Sequence, residues 1–110
     1  MRVSGQNEEF NNLSNSIQQI ADMYFVALRH VESGEEINGM RGTLVGFVAF
    51  VNKVKNAYYQ LDDLEKIFIN NDFFYEDYPN WWKPIYSKST YYRLKKRSMK
   101  RFKEAFDNEK

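Results

Sequence analysis

The sequence predicts an all-α protein of about four main helices: an N-terminal long helical hairpin followed by a C-terminal helix-turn-helix-like unit. Two observations predict the hairpin. Apolar residues recur at alternating spacings of three and four, first from Phe10 to Val31 and again from Met40 to Leu61, which is the a/d seam of packed helices. The third observation is a separation of charge. Residues 1–80 hold 6 Lys/Arg against 12 Asp/Glu, whereas residues 81–110 hold 10 against 3. A net charge of +1 is therefore the sum of an acidic scaffold and a basic end, a distribution expected of a polyanion-binding segment.

The first helix is expected from Glu8 to Glu32, with Asn7 as N-cap and the Glu8–Glu9 pair at the positive end of the helix dipole. Phe10, Leu13, Ile17, Ile20, Tyr24, Ala27 and Val31 form its seam, and Gly34 is placed to stop it. The link Ser33–Gly39 is short, so the next helix, Met40–Gln60, should return antiparallel. Its seam is Met40, Leu44, Phe47, Val51, Val54, Tyr58 and Leu61. Val45, Val48, Ala49 and Phe50 add apolar surface on other faces, expected to pack on the C-terminal part or on a second subunit. Gly42, Gly46 and Ala49 would admit another backbone closely.

A third helix should begin at Asp62, which with Glu65 matches the reciprocal capping pattern. Leu64, Ile67 and Phe68 are its expected buried stripe, and it should end near Asn70–Asp72. Seven aromatics and two prolines follow between Phe73 and Tyr86. They read as an ordered connector with a short helix at Asn80–Lys83, its rings either a small core under the last helix or a base-stacking platform. The last helix is expected over Lys88–Phe106 behind a Ser87 N-cap, with Tyr91, Leu94, Ser98, Phe102 and Ala105 inward. Arg93, Lys96, Arg97, Lys100 and Lys103 then share the other side. Residues 1–61 and 62–110 form two units packed as one compact domain.

Several classes of chemistry find no support in these residues. Cysteine is missing, so disulfides and thiolate zinc sites are excluded. His30 is the single histidine; a metal site with Glu32 or Glu35 would have no second imidazole, and a surface or seam-edge role is expected instead. A nucleophilic triad has no other imidazole base to draw on. No glycine loop follows a strand, and Asp72, Glu76 and Asp77 lack Ca²⁺-loop spacing. No catalytic residue, metal or cofactor is expected. Met1–Glu9 is polar and carries no signal-peptide core, and the uncharged run Gly42–Asn52 is about half of the roughly 20 residues a membrane helix needs. A cytoplasmic protein without a membrane partner is expected.

Between Lys83 and Lys103 stand nine cations and no acid. A recognition helix carries small hydroxyls and cations in its first turns, where it meets phosphates and base edges. Ser87, Lys88, Ser89, Thr90, Tyr92, Arg93, Lys96, Arg97 and Lys100 supply that set and are the expected double-stranded-DNA contacts. The run YSKSTYYRLKKRSMKRFKEAF, residues 86–106, resembles the end of ArpU-like (autolysin-regulator-type) phage transcriptional regulators of low-GC Gram-positive bacteria. It is similar, more distantly, to the helix-turn-helix of sigma-factor region 4. It also resembles a small mycoplasma-type family with a paired Trp before the motif, as Trp81–Trp82 stand here. The resemblance implies transcriptional regulation, with Ser89, Thr90, Tyr92, Arg93 and Lys96 facing DNA and Tyr91, Leu94 and Phe102 packed inward. The run Trp-Trp-Lys-Pro-Ile-Tyr replaces the usual glycine turn, and Pro84 cannot lie deep in a helix, so the supporting helix is expected to be short or remodelled. The heptad seams suggest a homodimer presenting two such helices to paired half-sites. The alternatives are a helical protein-interaction module with a basic docking helix, and an RNA-binding protein stacking bases on Tyr91, Tyr92 and the Trp pair.

Overall fold

Helices make up most of the described chain, and a connector of turns precedes the last one. In the computed structural model, which describes the backbone of residues 4–34 and 41–108, the elements are α1 (Ser4–Ser33), α2 (Arg41–Tyr59), α3 (Asp63–Ile69) and α4 (Lys88–Asn108). There is no strand among the described residues. Side-chain placement is described for 8–34 and 44–108, so Met40 and Glu35 lie outside the described residues and Gly42 is described in its backbone alone. At about 1.5 Å per residue the 30 residues of α1 span roughly 45 Å, which accounts for an elongated molecule of 55 × 29 × 22 Å. No helix among the described residues is long and apolar enough to cross a membrane.

α1 begins at Ser4, so Asn7 lies inside the helix and does not cap it. No proline interrupts residues 4–7, and nothing there forbids the extra turn. At the other end Gly34 takes φ +67°, and its N–H reaches the carbonyl of His30 at 3.1 Å. This is the left-handed stop that glycine adopts without a Cβ penalty.

The two seams meet as expected. Ile17, Ile20, Ala21, Val54, Ala57 and Leu61 are buried together, and Ile69, Phe73, Met99 and Phe102 close the same core from the C-terminal half. Phe50 reaches α4, its ring 6.0 Å from that of Phe106. Val45, Val48 and Ala49 remain exposed on the outer side of α2. Gly46 receives no backbone neighbour, since nothing stands within 4 Å of the position a Cβ would take.

α3 carries the capping box at its start. The Glu65 N–H donates to Asp62 Oδ1 at 2.8 Å, and the Asp62 N–H donates to Glu65 Oε1 at 3.0 Å. Its buried face differs from the expected stripe. Phe68, Ile69 and Glu65 are buried, while Ile67 is 51 % exposed. Ile67 stands about 200° around the helix from Glu65, and the inward side is fixed by Glu65 joining α4. The helix then widens into a π-helical turn, Asn70–Phe74, closed by the Tyr75 N–H on the Asn70 carbonyl at 2.7 Å.

Residues 75–87 connect this turn to α4, where a standard helix-turn-helix uses three or four residues. In place of the short helix expected at Asn80–Lys83, successive turns run from Pro79 to Ile85. Proline supplies no N–H at position 84, and the Ile85 and Tyr86 N–H groups share the Trp82 carbonyl at 2.9 Å. Trp81, Trp82, Tyr86 and Leu64 surround a second cluster of Phe68, Tyr91 and Leu94.

Candidate nucleic-acid interface

α4 starts where the sequence places it. Ser87 Oγ accepts the Thr90 N–H at 3.2 Å and donates to Thr90 Oγ1 at 3.0 Å, satisfying donors of the first turn. The helix is anchored by Tyr91, Leu94, Ser98, Met99 and Phe102, all buried. Ser98 is tolerated in the core because its hydroxyl donates to the Leu94 carbonyl, 2.8 Å away.

Tyr91 is the pin between the connector and the helix. Its ring stacks on Trp82 with centroids 4.1 Å apart, and its hydroxyl donates to Asp72 Oδ2 at 2.5 Å. The other Asp72 oxygen accepts from Trp81 Nε1 at 2.8 Å, and Lys95 Nζ stands 3.4 Å from the carboxylate. Burial, and next the Asp72 carboxylate, push the Tyr91 phenol well above its ordinary value. Trp81 meets Phe68 edge-on at 5.1 Å. Trp82 and Tyr91 thus cover one face of each other.

Apart from Lys95, which belongs to this anchor, cations of α4 meet acids at both margins of the helix. On the α1 side, Glu9 lies 3.2 Å from Lys96 and 3.6 Å from Lys100. The Lys96 ammonium, then Lys100, hold the Glu9 carboxyl below the usual range. On the α3 side, Arg97 reaches Asp62 at 2.7 Å and Glu65 at 3.1 Å, while Arg101 stands 3.7 Å from Glu65. Asp62 is held low first by the Glu65 backbone N–H and then by Arg97. Arg97 is raised in turn, chiefly by the Glu65 carboxylate. Lys103 pairs along its own helix with Asp107 at 2.8 Å.

Of the expected contact residues, Ser87, Lys88, Ser89, Tyr92, Arg93, Arg97 and Lys100 are exposed, and Thr90 and Lys96 are partly buried. Lys88 and Arg93 have no ion-pair partner among the described residues, and neither does Lys83 in the connector. Tyr92 packs edge-on against Phe10 at 5.7 Å and leaves its outer side to solvent. Lys96 and Lys100 turn to the α1 margin and Arg97 to the α3 margin, and all three are held by the scaffold's carboxylates. Sequence reasoning missed those carboxylates, Glu9, Asp62, Glu65 and Asp72, as partners of the basic helix. The opposite charges of the two parts were the available signal.

His30 stacks on Phe47, centroids 4.5 Å apart and planes 5° from parallel. No group of three or more His, Cys, Asp or Glu among the described residues could hold a metal ion. Comparison with known proteins finds no matching family model, no matching curated protein and no matching solved structure.

Proposed function

We propose that this chain binds double-stranded DNA through the outward side of α4 and acts as a transcriptional regulator. One observation carries the reading: Lys88 and Arg93 stand exposed, with no acidic partner among the described residues, in the first two turns of a well-anchored helix. Beside them lie the exposed side chains of Ser87 and Ser89. Arginine offers a bidentate fork for guanine or phosphate, and hydroxyls add adaptable donors. Lys83, Lys96 and Lys100 extend the cationic track, and polyanion phosphates can replace Glu9 at the last two. The long connector departs from the standard motif, so the reading rests on α4 and not on the spacing of two helices.

The test is fluorescence anisotropy of a labelled duplex across a salt series. Five cations engaging phosphates give a log–log slope of about −4 to −5. No binding at low salt would discard the reading. Tighter binding of single-stranded RNA than of duplex DNA would replace it with an RNA-binding one.

A further inference from the structure

Away from the basic helix, a cavity of about 200 Å³ opens between α1, α2 and the π-helical turn. Its walls are unusually rich in phenols. Tyr24, Tyr58, Tyr59 and Tyr75 line it with Val54, Phe74, Asn70 and Lys55. Val54 belongs to the core and closes the floor, whereas Tyr59 and Tyr75 are 68 % and 55 % exposed at the mouth. None of the four hydroxyls, nor the Asn70 side-chain amide, has a hydrogen-bond partner among the described residues. Burial, and then the neighbouring phenols, raise Tyr24 and Tyr58 above their ordinary values, so both remain O–H donors.

The π-helical turn is what brings Asn70, Phe74 and Tyr75 to the cavity. Such widened turns recur at functional sites because they cost ordinary helical geometry. Phe74 is fixed edge-on to Tyr24 at 5.6 Å and to Phe102 at 6.1 Å, so the apolar wall is preformed.

Charge narrows the ligand. Lys55 is the one charged residue lining the cavity and has no ion-pair partner among the described residues. Lys66 lies over the Tyr58 and Tyr59 rings at 5.9 and 5.5 Å. Among the described residues no carboxylate lines the space, and of the groups that raise Tyr24 Glu32 acts least. Two ammonium groups oppose a cationic guest, despite the aromatic walls that otherwise favour one. A purely apolar guest would strip water from unpartnered hydroxyls and return nothing. At roughly 30 Å³ per water the space holds about seven waters, below the size of a drug-like site and suited to a single ring.

We infer that this cavity binds a small aromatic carboxylate, its ring against Phe74 and Val54 and its carboxylate toward the phenol hydroxyls and Lys55. This site is separate from the proposed DNA surface, and neither depends on the other.

The test is titration of the full chain with benzoate, followed by two-dimensional NMR of backbone amides. Saturable shifts at Val54, Asn70 and Tyr75 are expected, with benzyl alcohol and phenyltrimethylammonium at least about tenfold weaker. Tyr75→Phe and Lys55→Gln should each weaken benzoate by about three- to tenfold, the range of one hydrogen bond or charge contact. Both positions are exposed, so the thermal midpoint without ligand should stay that of the parent chain. The inference is overturned by any of three results: no saturable shift with benzoate, equal binding of the cation, or unchanged benzoate affinity in both variants.

Discussion

Glu65 and Arg97 join α3 to α4 through a 3.1 Å contact in which the carboxylate is fully buried and the guanidinium is half exposed. The same carboxylate caps α3 by accepting the Asp62 N–H. A buried charge is costly unless paired, so the two partners are not equivalent. Arg97→Ala strands the carboxylate with Arg101 at 3.7 Å and should lower stability markedly. Glu65→Gln keeps a cap acceptor and should cost less. Combining them should recover part of the Arg97→Ala loss, because the stranded charge is gone. Urea midpoints of the four proteins at constant m decide this; additive losses would refute it.

The free cations and the held ones should behave differently toward DNA. Lys88→Ala and Arg93→Ala remove groups with no ion-pair partner among the described residues, so the thermal midpoint should not move while the salt slope falls by about 1 for each. Arg93→Ala should also weaken a cognate site more than random duplex. Glu9→Gln should act in the opposite direction: it frees Lys96 and Lys100 from their carboxylate and should tighten duplex binding severalfold. Unchanged affinity in both Lys88→Ala and Arg93→Ala would remove α4 from the interface.

Heptad spacing and capping chemistry made most of this architecture readable. Ile17, Ile20, Ala27, Val51, Val54 and Leu61 are buried along the seams their spacing defines, and Asp62, Glu65, Ser87 and Gly34 cap or stop helices as their side chains or backbone allow. Two features escaped because their causes are tertiary. Ile67 looked like a core residue by hydrophobicity, yet the ionic clamp at Glu65 turns it to solvent. The π-helical turn has no local signature, since Asn70–Phe74 would also suit an ordinary helix end. The basic residues of α4 were legible as a group, but their distances to Glu9, Asp62 and Glu65 depend on helices from distant parts of the chain.

The response to pH follows from groups whose proton affinity changes on folding. Tyr91 keeps its proton beyond pH 10, where an unfolded tyrosine would begin to lose it. Its contribution is therefore complete below pH 10 and declines as pH rises through the folded value. Tyr91→Phe, which removes a charge-assisted hydrogen bond to Asp72, should cost about 2 kcal/mol at neutral pH and make the alkaline decline shallower. Glu9 and Asp62 are held low, so their contributions are complete above their ordinary values of 4.5 and 3.8 and disappear as pH falls below them. Denaturation midpoints measured across both ranges check these signs; an alkaline decline as steep in Tyr91→Phe would contradict the first.

The outer side of α2 offers the surface through which two copies would pair. Val45 is 62 % exposed, and Val48 and Ala49 continue the same uncharged stripe. Gly46 at its edge has open space where a side chain would stand, so a second backbone could approach closely. Such pairing buries apolar surface that the hairpin leaves wet and would set two α4 helices in one particle, as recognition of paired half-sites requires. Light scattering at tens of micromolar should then report a dimer. Val48→Glu places a charge in the stripe without touching the hairpin core and should yield a helical monomer that binds DNA more weakly. A parent chain that is monomeric at those concentrations would end the proposal, and a Val48→Glu dimer would move the interface elsewhere.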